Sequence, residues 1–112
     1  MSDLTITATI NGKYYRLPEV VTLQHAIKLS IVEDKPIIMD YWASSIERTA
    51  LIGIQEDKTK LLVKSEDEYT SPIAKIFQSG KDTQTGKCKD YIIMTENSIY
   101  IVSATIPNKK IS

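Results

Sequence analysis

Residues 34–49 read DKPIIMDYWASSIERT. The window runs from a Lys-Pro step through an apolar run and an acid to two aromatics and a polar patch. Read as structure, it is a strand over 36–42 that ends in a turn. Ile37, Ile38 and Met39 are then buried, and Tyr41 and Trp42 sit at the strand end with their polar tips in reach of water or a partner. Ser44 and Glu47 have the spacing of a capping box for one short helical turn. Read as a site, Tyr41, Trp42 and Arg48 form a binding surface, because these side chains are common interface anchors.

On either side of this window the periodicity alternates between strand and helix. Leu4, Ile6, Ala8 and Ile10 alternate with threonines, the two-residue period of a half-buried strand. Asn11-Gly12 suits a tight hairpin turn, and Lys13 to Leu17 returns as the second strand. Thr22 is the expected N-cap of a helix that ends near Glu33, ahead of Lys35-Pro36. Leu23, Ala26, Ile27, Ser30 and Ile31 share one face of that helix, and His25, Leu29 and Val32 form a second stripe. A helix with two apolar faces is often covered twice, which makes Leu29 and Val32 candidates for an oligomer interface. Beyond the opening window, strands are expected over 50–55, 60–64, 72–78, 91–95 and 98–104. The polar stretch QSGKDTQTGKCKD, 78–90, reads as a flexible loop, and 108–112 as a short C-terminal tail. The fold class is therefore α+β: a single domain over 1–112 with an N-terminal β-hairpin, one main helix, then a mainly antiparallel sheet.

Two segments resemble known families. DKPIIMDYWAS is similar to the central strand of thioredoxin-fold proteins, but Ser45-Ile46-Glu47-Arg48 stands where their cysteine pair would follow. The next segment, TALIGIQE, reads as a strand rather than as their long helix. Thiol–disulfide exchange of that type is not expected. TINGKYYRLPEVVTLQHAI resembles the hairpin-then-helix opening of β-grasp domains, including ubiquitin-like proteins and plant-type ferredoxins. The resemblance implies topology alone, because the ferredoxin cysteines and a Gly-Gly terminus are both missing.

Composition narrows the function classes. The 112 residues carry 14 basic and 14 acidic side chains, so the formal net charge is zero. A neutral chain has no general pull on nucleic acid or on an anionic membrane. Only two of the basic residues are arginine, the better phosphate fork. One cysteine, Cys88, makes neither an internal disulfide nor a cysteine-rich zinc site. The opening MSDLTIT has no basic-then-apolar leader pattern, and no apolar run approaches a bilayer span. The expected location is cytoplasmic.

The catalytic inventory is thin. His25 is the single histidine, and a lone helical histidine is usually a packing or surface residue. Cys88 lies in the polar stretch, without the fixed geometry of a nucleophile. GKDTQTGKC has a cysteine after its lysine where a phosphate-binding loop needs Ser or Thr. Glu66-Asp67-Glu68 lacks the alternating ligands and glycine hinge of a calcium loop. No catalytic residue, metal or cofactor is expected. Six tyrosines suit either cross-strand packing or an interface. The leading expectation is a non-catalytic module acting on a protein partner, in the manner of a viral or mobile-element accessory protein. The alternative is a small nucleotide-like ligand, held at a subunit seam of a homo-oligomer.

Overall fold

The computed structural model describes residues 7–10 and 13–111, with side chains from Tyr15 onward. The first strand pair is β1 (Thr7–Ile10) with β2 (Lys13–Arg16), antiparallel and in register from Thr7↔Arg16 to Ile10↔Lys13. The expected Asn11-Gly12 turn and the strand residues before Thr7 lie outside the described residues. Helix α1 (Val20–Glu33) follows, then β3 (Ile37–Ile38) and the short helix α2 (Trp42–Ile46). Six strands complete the chain: β4 (Leu51–Ile54), β5 (Lys60–Val63), β6 (Tyr69–Lys81), β7 (Cys88–Thr95), β8 (Ile99–Ser103) and β9 (Asn108–Lys110).

The expected α+β fold is present. Seven strands form one mixed, mostly antiparallel sheet in the order β3-β8-β7-β6-β5-β4-β9, and the β1–β2 pair stands as a sheet of its own. Among the described residues only β3–β8 and β4–β9 pair in parallel.

The core follows from the two-residue period of β7 and β8. On one face Ile92, Met94, Ile99 and Ile101 pack with Ala26 of α1 and Trp42 of α2. On the other, Ile93 and Val102 pack with Tyr41, Ala50, Ile52, Leu62 and Ile106. A sheet buried on both faces explains the unbroken apolar runs in these strands. Ile52 of β4 and Val102 of β8 belong to this one cluster although three strands lie between them, so the sheet curls. The curl turns on β6, whose first part pairs with β5 and whose later part pairs with β7. The register slips between Ile73 and Lys75, and a bulge of this kind bends the strand and lets it serve both halves. Burial of each isoleucine at this centre contributes roughly 1.5–3 kcal/mol.

Several expectations are corrected. The strand at 36–42 is only two residues long, and Trp42 opens a helix in which Ser44 is an interior residue rather than a cap. Helix α1 begins two residues before Thr22, which is fully buried. Its inward face carries Thr22, Ala26 and Leu29, so Ile27 and Ile31, assigned to the core by spacing, are 52% and 76% exposed. The polar stretch 78–90 is mostly strand: β6 runs to Lys81 and β7 starts at Cys88, leaving a turn over 82–87. Asp82 closes that turn by accepting the Gln84 amide at 2.8 Å. The tail is also structured, since Asn108–Lys110 pairs with Ile52–Ile54.

Candidate functional site

Helix α1 lies across β6, β7 and β8, and a buried polar cluster sets its position. Asp90 of β7 is fully buried. Its Oδ1 accepts a hydrogen bond from Arg16 Nη2 at 2.9 Å, and its Oδ2 accepts the Glu19 amide at 2.9 Å. Thr22 Oγ1 lies 2.7 Å from Asp90 Oδ2 and 3.0 Å from Ser79 Oγ. A hydroxyl has one proton, and the charged acceptor takes it, so Ser79 donates in the second bond. Asp90 thus supplies the anion that the N-terminus of α1 favours, a role no side chain of the helix's own first turn fills. Gly80 makes room for this approach: a Cβ there would fall 2.8 Å from Glu19 Cγ, and its φ is +72°.

The far side of the same packing leaves a groove. His25, Lys28, Leu29 and Val32 of α1 face Ile76, Phe77 and Gln78 of β6, with Ile92 beneath, around a space of about 570 Å³. The four helical residues follow the i, i+3, i+4, i+7 spacing of one stripe. The strand contributes three consecutive residues. Side chains alternate across a strand, so consecutive residues line one groove only where the groove runs along the strand edge. Phe77 is half-buried against the α1 side of the core, and Val32 is 70% exposed.

The residues singled out by sequence divide between interior and surface. Leu29 and Val32 are brought together in the groove, Leu29 half-buried and Val32 projecting. Tyr41 and Trp42 are only 6% and 5% exposed. They are adjacent in sequence but enter opposite cores. The Tyr41 ring meets Tyr100 edge-on at 5.3 Å between centroids, and burial, with smaller contributions from Tyr100, Asp40 and Glu68, pushes its phenol up to about 12. Trp42 Nε1 donates to the Arg16 carbonyl at 2.7 Å, and the Arg16 guanidinium lies 5.0 Å from the indole centroid. Arg48 is exposed after α2, with a left-handed φ of 62°. The three therefore do not share a surface, because folding spends both rings on packing.

The remaining candidates are scattered. His25 lines the α1–β6 groove, whereas Cys88 lines a separate cleft with Arg16, Asp82 and Lys87. Glu66, Asp67 and Glu68 are exposed in the turn between β5 and β6, where the Asp67 amide bonds Ser65 Oγ. Among the described residues no three acidic, histidine or cysteine side chains converge on a metal position. No helix among them is long and apolar enough to cross a membrane.

Sequence reasoning missed two features. Arg16, Thr22 and Asp90 meet across 74 positions without any local pattern to announce them. The strand-edge groove had one signal, Pro72, since proline in a strand marks a place where ladder pairing is about to fail. Comparison with protein-family models, curated proteins and solved structures finds no match to this chain.

Proposed function

We propose that this protein is a non-catalytic binding module that acts on a protein partner through the groove between α1 and β6. The observation that carries the reading is a groove in which half-buried Leu29 and exposed Val32 of α1 face half-buried Ile76 and Phe77 of β6. Large exposed apolar side chains in a concave setting mark interaction sites. His25 and Cys88 line different clefts, which supports the non-catalytic reading. A nucleotide-like ligand stacked on Tyr41 and Trp42 receives less support, because neither ring has a free face.

The test is a random-peptide display selection against the full chain, repeated against Val32→Asp. Val32 is exposed, so this change leaves the core intact. Peptides enriched on the parent protein should bind the variant at least about tenfold more weakly. A selection that yields no binders, or binders indifferent to the substitution, overturns the reading.

A further inference from the structure

The geometry of β6 points to the form of the partner. We infer that the groove takes an extended, acidic segment, which adds to β6 as an extra strand; this rests on the groove being the partner surface. Strand β5 pairs with β6 only as far as Pro72. From Ile73 to Lys81 the ladder of β6 runs to β7 alone among the described residues, and β1 pairs with β2. Among the described residues no strand pairs with the other edge of Ile73–Gln78, whose backbone donors and acceptors are the template on which a foreign strand pairs, whereas Ser79 and Gly80 are buried against Thr22 and Glu19.

The groove lies along this edge, since Ile76, Phe77 and Gln78 line it in succession. An added strand would turn alternate side chains toward Leu29, Val32 and Phe77, which favours apolar residues at those positions. The remaining positions are set by charge. The lining includes Lys28 and His25 and no carboxylate among the described residues. Lys75 and Lys81 are exposed and share the strand face of Phe77. A segment with Asp or Glu beside its apolar residues is complementary to this rim, and a basic one is repelled.

The experiment uses the full chain, isotope-labelled for NMR, with three synthetic probes of about nine residues, ~30 Å when extended. One alternates valine and glutamate, the second replaces glutamate by lysine, and the third is the acidic peptide N-methylated at alternate amides. The acidic peptide should shift the amides of Lys75–Lys81 and of His25–Val32 and slow hydrogen exchange along β6. The lysine peptide should bind at least about tenfold more weakly, and the charge reversal Lys28→Glu with Lys75→Glu should invert that order. N-methylation should abolish binding. Groove binding that survives N-methylation rejects strand addition while leaving the groove reading standing. Binding of display-selected peptides elsewhere on the surface rejects both. A concentration-dependent doubling of mass with β6 protected in the absence of peptide assigns the edge to a second copy and overturns the inference.

Discussion

Arg16 and Asp90 lie 74 residues apart in sequence and meet at 2.9 Å, joining the N-terminal strand pair to the main sheet. The contact does more than pair charges. Arg16 also caps the Lys89 carbonyl at 3.0 Å, and its own carbonyl receives the Trp42 indole. The second Asp90 oxygen meanwhile holds the start of α1.

Asp90→Ala should therefore destabilise the protein by about 3 kcal/mol, because it leaves Arg16, the Glu19 amide and Thr22 without their acceptor. Thr22→Val alone should cost about 1–2 kcal/mol. The two losses should fall short of their sum in the double variant, since both act through one carboxylate. Urea unfolding of the set decides this; strict additivity would show that the cluster does not act as a unit.

Tyr41 gives the protein a sensitivity to high pH. Its folded-state value of about 12 exceeds the ordinary value of 10.0. The unfolded chain thus releases the phenol proton first as pH rises. Stability is intact below pH 10 and falls between about 10 and 12, at about 1.4 kcal/mol for each unit of pH. Tyr41→Phe should abolish that part of the decline in alkaline unfolding curves. An unchanged slope in the variant would assign the sensitivity elsewhere.

Ser45 is a buried relay. Its hydroxyl donates to the Trp42 carbonyl at 2.6 Å and accepts the Ser103 amide at 2.8 Å. Ser45→Ala should cost about 1–3 kcal/mol, the penalty for orphaning a buried amide. Exchange of the Ser103 amide should accelerate more than that of its β8 neighbours.

Gly53 lies under Ile111, whose Cδ1 would stand 2.6 Å from an added Cβ. Gly53→Ala should displace the end of the chain and cost about 1 kcal/mol. Ile111→Ala should recover most of that loss in the double variant, as thermal melts would report. A full penalty persisting without Ile111 would point to Val63, 3.1 Å away, instead.

Arg48 adopts a conformation that L residues avoid, at φ 62°. Arg48→Gly should raise stability by about 0.5–1 kcal/mol in denaturant titrations. Peptides selected through the α1–β6 groove should bind this variant as they bind the parent. A loss of binding would return Arg48 to the interaction surface.

The sequence by itself determined the N-terminal strand pair, the main helix and the central strands, though not β9 or the strand ends within 78–90. Alternation in 7–10 and 13–16, the helical spacing after Pro18 and the isoleucine runs of 91–95 and 98–104 are local patterns, set by how each residue fits its own backbone period. It also limited the histidine- and cysteine-based arrangements to those around His25 and Cys88. Tertiary structure alone decided which face of α1 turned inward. Asp90 pulls Thr22 into the interior, and that rotation carries Ile27 and Ile31 into solvent while leaving Val32 over the groove. The same holds for the aromatics of 34–49. Tyr41 and Trp42 look like interface anchors in sequence, yet a curled sheet with two cores offers each ring a buried place. Among the described residues β6 likewise loses its second neighbour beyond Pro72, because β5 begins at Lys60 and has no residues left to pair. Such outcomes depend on contacts between distant segments, and a linear pattern does not encode which of two apolar faces will find a partner.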